Sequence, residues 1–301
     1  MNMQSSGKGI STQTWLYLFA VYIIWGSTYL GMKIATATVP AFYLSAMRFF
    51  LAGIVLLAIG IYREQTMPTL RQALSASFVG ILLIGTGNTT VALAVHYMPS
   101  GLVALLVAAM PAWFMGLDWA FFSKNRPSAT TMMGIGVGFV GLFLLFNPFR
   151  QENVQSFPLW PVLIVILGNI CWATGSLMVP RLPMPPQITS TAIQMLAGGI
   201  FALLVSFITE HNATTSFLEM PHSGWMAYFY LVFIGSLVGY TSYSWLTRNA
   251  PPKLTATYAY INPIVALFLG WAIGNESITA MVIVAATIVI GGVVLMTLGK
   301  K

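Results

Sequence analysis

Apolar runs close to the length of a membrane-spanning helix succeed one another along the chain. They cover approximately 15–36, 40–62, 73–97, 101–122, 129–147, 160–181, 187–209, 223–247, 254–274 and 279–298. A spanning helix needs about 20 such residues. The connections are short, and Pro40, Pro68, Pro99, Pro127, Pro158, Pro161 and Pro251 mark several of their edges. The pattern predicts an all-α integral membrane protein of ten transmembrane helices.

Composition agrees with the pattern. Of 301 residues, 57% are hydrophobic and only 6% are charged, against about 25% charged in a soluble domain. Such a chain cannot cover itself with a solvated surface, so its medium is a lipid bilayer. Residues 1–37 also read as a cleavable leader, with Lys8, an apolar run from Trp15 and Ala35-Thr36-Ala37. Lys33 interrupts the run just before that site, so a retained first helix is expected.

Charge orients the predicted helices. With the N-terminus in the cytoplasm, the inside segments hold Lys8, Arg63, Arg71, Lys124, Arg126, Arg181, Arg248, Lys253, Lys300 and Lys301. The outside loops hold only Arg150, while Lys33 and Arg48 fall within spans. This is the positive-inside asymmetry, and it puts both termini in the cytoplasm. The net charge of +7 therefore reports topology and not a nucleic-acid surface. Glu152, Glu210, Glu219 and Glu276 fall in outside loops, Glu64 inside, and Asp118 within a span.

The chain repeats itself. A shift of 152 positions carries Pro263 onto Pro111, Pro251 onto Pro99, Leu254 onto Leu102, Ala256 onto Ala104, Ala259 onto Val107, Trp271 onto Trp119, Gly239 onto Gly87 and Thr241 onto Thr89. A shift of 147 carries Trp172 onto Trp25. Two five-helix units follow, and because five is odd they are inverted in the membrane. The expected organisation is an N-terminal tail 1–14, a first repeat 15–147, an outside linker 148–159, a second repeat 160–298 and a C-terminal tail 299–301. Inverted repeats place a substrate site near the midplane, on interrupted helices. Pro111 and Pro263 are the expected helix kinks, and each frees a carbonyl four residues back, that of Val107 or Ala259.

Polar side chains at helical spacing mark the expected cavity. The first helix offers Trp25, Thr28, Tyr29 and Met32; the third, Asn88; the sixth, Asn169, Trp172 and Ser176. The eighth offers Ser236, Tyr240, Tyr243 and Thr247; the ninth, Thr255, Tyr258 and Asn262. The matching face of the fourth helix, Val103, Leu106 and Met110, is apolar. Each polar residue serves equally well as an interhelical hydrogen bond, and Tyr29, Tyr243 and Thr247, nearer span ends, also suit an interfacial belt. Arg48 lies about 12 Å into the second helix at 1.5 Å per residue, where it suits a substrate carboxylate or a helix carbonyl end. Lys33 is expected to snorkel. Asp118 is the carboxylate available for proton coupling within a span, although a salt bridge to a loop residue such as Lys124 is the plainer reading. His96 reads as interfacial.

No cofactor or metal is expected. Cys171 is a single cysteine, which excludes an intramolecular disulfide and zinc spacing. There is no G-x-x-x-x-G-K-[ST] motif for nucleotide, and Ser27 and Ser176 have no base at hand for an intramembrane hydrolase. Gly134, Gly138 and Gly141 permit close helix packing within the chain or in a homodimer.

The segments YIIWGSTYLGMKI (22–34), AMRFFLAG (46–53), the proline in the fourth helix, TYAYINPIVALFLGW (257–271) and GNESIT (274–279) together resemble the EamA-type permeases of the drug/metabolite transporter superfamily, most nearly those of the YedA type. The resemblance implies a secondary transporter of a bacterial-type inner membrane, with a central cavity and alternating access. It implies export of metabolites, amino acids or drug-like amphipathic and aromatic compounds. An uncoupled facilitator or uptake carrier is the alternative. The first-helix carboxylate of the superfamily's small multidrug exporters has no counterpart here. Glu276 follows Gly274-Asn275 where many members show Gly-Glu directly, and is expected to be a turn or helix-capping residue before the last helix.

Overall fold

The computed structural model describes residues 11–124, 126–145, 158–250, 252–255 and 257–298. Of the positions singled out above, Lys8, Arg150, Glu152, Pro251, Ala256, Lys300 and Lys301 lie outside the described residues, as do the side chains of Thr247, Arg248, Lys253 and Tyr260. Among the described residues all regular structure is helical.

Seven helices are long and apolar enough to cross a membrane: α1 Thr12–Thr36, α2 Ala41–Glu64, α3 Leu70–Tyr97, α4 Ser100–Phe122, α6 Trp160–Arg181, α7 Gln187–Thr209 and α8 His222–Leu246. Three shorter apolar helices accompany them. These are α5 Ala129–Leu145, α9 in two pieces, Pro252–Thr255 and Tyr258–Ala272, and α10 Ala280–Leu298. Local chemistry starts several of them. Ser11 accepts from Thr14 N at the start of α1, and Thr69 with Gln72 forms a capping box at α3. Pro40, Pro99, Pro186 and Pro221 stand immediately before α2, α4, α7 and α8, where a missing N–H costs nothing.

The surface is largely apolar, and many polar side chains lie inside an otherwise apolar core. Leu16, Phe19, Phe143, Leu163, Phe207 and Trp271 point outward, whereas Thr28, Arg48, Asn169, Gln194 and Asn262 are buried. That distribution suits a hydrocarbon medium, in which polar side chains turn from lipid. The helices pair as α2 with α7, α5 with α10, α4 with α9, α1 with α8 and α9, and α6 with α3 and α4. Glycines allow the closest approaches. A Cβ at Gly80 would strike the carbonyl of Gln194, and one at Gly134 would meet Gly292 O at 2.6 Å. Gly134, Gly138 and Gly141 thus pack α5 on α10 within the chain, and nothing about them calls for a second copy.

Three carboxylates tie helix starts to distant segments. Glu64, at the end of α2, accepts from Ile188 N and Thr189 N at 2.7 and 3.0 Å, at the start of α7. Glu210, after α7, accepts from Phe42 N and Tyr43 N at 2.8 and 2.9 Å, at the start of α2. Glu276 accepts from Ser100 N at 2.8 Å and Gly101 N at 3.4 Å, at the start of α4, and from Lys33 Nζ at 2.7 Å. Each fills N–H groups that a helix start leaves open and that favour negative charge. Two expectations change here. Glu276 caps α4, not the last helix, and Lys33 ion-pairs instead of merely snorkelling.

Two substitutions test this packing. Gly80→Ala forces α3 off the backbone of α7 and should cost about 1–3 kcal/mol. Glu210→Ala strands two N–H groups and should cost about 1–3 kcal/mol. Thermal unfolding in detergent should show both as clear losses, and an unchanged transition would refute the contacts.

Candidate functional site

The interruption of two helices opens the middle of the molecule. α4 is broken at Ala108 and Ala109, with Pro111 in the first turn of the piece that follows. Asn169 Nδ2 donates there to Leu106 O at 3.0 Å, which also accepts from Ala109 N at 3.2 Å. In α9 the interruption is at Thr257, and Pro263 lies within the helix that begins at Tyr258. The Tyr22 hydroxyl of α1 bonds the Thr257 hydroxyl at that break. With its amide turned to suit its neighbours, Asn262 donates to Tyr22 O and Tyr258 O at 3.2 Å. α3 and α8 also depart from regular winding: Ile81–Asn88 and Tyr230–Tyr240 take the wider i→i+5 turn, a feature frequent at functional sites.

Between these elements lies a cavity of about 70 Å³. Trp25, Thr28, Arg48, Asn88, Asn169, Trp172, Tyr240, Tyr258 and Asn262 line it, with Ser236, Tyr29, Met32, Phe49, Val91, Val107 and Met110. A second, wider cavity of about 470 Å³ lies toward the ends of α6 and the start of α7, lined by Ser176, Pro180, Ser190, Gln194, Tyr243 and Ser244 among others. Tyr240 borders both cavities, and its hydroxyl donates to Gln194 Oε1 at 3.0 Å. An aromatic cluster separates them. Trp25 lies 4.8 Å from Tyr243, 5.5 Å from Tyr258 and 6.0 Å from Trp172, the last two edge to face, the geometry that aromatic quadrupoles prefer.

Arg48 is the charged group of the central cavity. It is only 4% exposed. Its Nε donates to Ser236 Oγ at 2.8 Å, and its guanidinium carbon stands 4.7 Å from the Phe49 ring centroid. A guanidinium within a membrane span costs about 2.5–3.5 kcal/mol on insertion scales. At the far end of α1, Lys33 and the start of α4 are both bonded to Glu276, and His96 Nδ1 stands 2.7 Å from Thr36 O.

Comparison with known proteins bears on these features. The EamA-like transporter family model matches residues 13–147 and again 159–298. This chain belongs to the EamA-like transporter family. It is 36% identical over 285 residues to the uncharacterized inner membrane transporter YedA of Escherichia coli K12, covering 94% of this chain and 90% of YedA. It is 22% identical to a probable amino-acid metabolite efflux pump of Salmonella typhimurium, covering 93% of each. A crystal structure 21% identical in sequence superposes with TM-score 0.68, covering 96% of this chain and 98% of that one, which shows a shared fold. Family and relatives are membrane transporters, not enzymes.

The structure gathers most of the expected site residues of this EamA chain, but not all. Ser176 lies on the wider cavity, and Thr255 is buried away from both, donating to Leu246 O at 3.3 Å. Val103 and Leu106 are core residues; Val107 and Met110 supply the wall from α4. Tyr29 and Tyr243 are buried in the interior, not in an interfacial belt. Phe49 and Gly235 line the central cavity without having been singled out, and neither carries a sequence signal beyond proximity to Arg48 and Ser236. Asp118 lies outside both cavities. It stands 3.6 Å from Arg181, not from Lys124, with side chains 36% and 43% exposed.

Loss of Glu276 and loss of Asp118 should therefore differ. Glu276→Ala leaves Lys33 and two N–H groups unpaired and should destabilise by about 1–3 kcal/mol. Asp118→Ala removes a solvent-screened pair and should cost no more than about 1 kcal/mol. Thermal unfolding of the two variants side by side checks the ranking.

Proposed function

We propose that this chain is a secondary transporter that exports small amphipathic or aromatic solutes across a bacterial-type inner membrane by alternating access. The observation that carries the reading is the aromatic cavity with a single arginine, parted from a wide vestibule by Tyr240 and its neighbours. The printed names of two relatives, an inner membrane transporter and an efflux pump, support the location and direction.

The finer architecture of this proposal is ten spans in two inverted repeats, about 15–147 and 160–298, with both termini cytoplasmic. The helix pairs support it. Exchanging α1–α5 with α6–α10 turns α1–α8 into α6–α3 and α1–α9 into α6–α4, and leaves α2–α7, α4–α9 and α5–α10 unchanged. The vestibule then faces the cytoplasm, on the side of Arg63, Arg71 and Arg181, as the positive-inside asymmetry asks. A solute entering there passes Tyr240 once its bond to Gln194 opens. Release on the far side requires the Lys33–Glu276–α4 contacts to part while the Tyr240 contact closes.

Substrate binding is assigned to Trp25, Trp172, Tyr258, Asn262 and Arg48, with Thr28, Asn88, Asn169 and Tyr240 completing the walls. An uncoupled carrier is the second reading, favoured because no carboxylate is among the described residues lining the central cavity. Asp118, at the rim, suits a surface ion pair better than a coupling site.

Counterflow in liposomes tests the proposal, with labelled aromatic and small neutral amino acids and a planar aromatic cation, with and without a pH gradient. Saturable flux should fall at least about tenfold in Trp172→Ala and in Asn262→Ala, the loss of one contact of about 1.4 kcal/mol or more. Asp118→Asn should leave flux and its response to the gradient unchanged. Saturable flux that survives both cavity substitutions would move the site elsewhere, and a gradient response abolished by Asp118→Asn would restore that residue to coupling.

A further inference from the structure

We propose that the transported solute carries an anionic group, in the simplest case a carboxylate, on an aromatic or apolar body, and that Arg48 is its partner. The proposal rests on the central cavity being the transport site.

Several charged groups near the ends of the helices have partners. Lys33 meets Glu276, Arg181 meets Asp118, and Glu64 and Glu210 meet backbone N–H groups. Arg48 differs. A guanidinium has five N–H donors. One is committed to Ser236 Oγ at 2.8 Å, and the other four have no acceptor among the described residues. No Asp or Glu is among the described residues lining the cavity. A buried guanidinium is best satisfied by a carboxylate held bidentately, so a positive charge without a counter-charge is what an anion site looks like before it is filled.

The setting holds the guanidinium ready. Ser236 fixes its Nε side, and Phe49 lies beneath it at 4.7 Å. Gly235 leaves it room: a Cβ there would stand 3.1 Å from Nη2. The same cavity presents Trp25, Trp172 and Tyr258 for an apolar or aromatic body. The aromatic walls alone would accept a planar cation as well. A guanidinium in the same small, buried space repels one, so charge selects the anion.

Isothermal titration on the full chain in nanodiscs, near neutral pH, tests this with three matched probes: 3-phenylpropionate, its amide, and 3-phenylpropylammonium. The anion should bind at least about tenfold more tightly than either of the others. Arg48→Met should weaken the anion about 10- to 100-fold and leave the amide unchanged, which also reports that the variant is folded. Arg48→Lys should keep part of the preference, and Ser236→Ala should weaken the anion by less than Arg48→Met does. Equal affinity for anion and amide, preference for the cation, no binding of the anion, or anion binding indifferent to Arg48→Met would each overturn the proposal. Trp172→Ala separates the two readings. Cation binding lost in Trp172→Ala keeps the cavity and discards the anion. Anion binding that needs Arg48 but not Trp172 keeps Arg48 as an anion site and discards the aromatic cavity.

Discussion

A hydrogen-bonding group at membrane depth has no water to fall back on, and each one left unpaired costs several kcal/mol. The architecture of this chain is a set of answers to that constraint. Glu64 and Glu210 take up N–H groups at the starts of α7 and α2, and Glu276 does the same for α4. Asn169 meets Leu106 O where α4 is broken, and Tyr22 bonds Thr257 where α9 is broken. Arg48, joined to Ser236 alone among the described residues, is a charged group left incomplete, and Asn88 Oδ1 and Trp172 Nε1 in the same cavity are also without a hydrogen-bond partner among the described residues.

The carboxylate contacts also divide the molecule mechanically. α2 and α7 run antiparallel, and each supplies the glutamate that caps the other, so the pair is tied at both ends. α5 and α10 are locked by glycine-mediated contact. The broken helices, α4 and α9, and the wider turns of α3 and α8 surround the cavity instead. Rigid pairs beside interrupted helices are what a rocking mechanism needs: the first hold their shape, and the second have exchangeable backbone contacts.

Much of this was legible along the chain. The helical segments follow from run length, because the bilayer sets how many apolar residues are required. The cavity residues Trp25, Thr28, Asn88, Asn169, Trp172, Tyr240, Tyr258 and Asn262 follow from polar side chains at helical spacing. The misses are axial. Ser176 stands one turn beyond Trp172, level with the wider cavity, and Thr255 precedes the interruption at Thr257, so each shares a stripe with cavity residues yet lies apart from them. Tyr243 was left open between a cavity wall and an interfacial belt because height along a helix does not say whether a side chain faces lipid or protein; it lines the wider cavity.

What the sequence alone determined is the helical membrane chain, its duplicated pattern and the residue types gathered near its middle. These are properties of run length, composition and spacing, which need no knowledge of neighbours. What only the tertiary structure decided is pairing. Lys33 and Glu276 are 243 positions apart, Arg48 and Ser236 are 188, and Glu210 and Phe42 are 168. A hydrogen bond depends on ångström-scale approach, and the helix rotations that bring such distant groups together are set by packing.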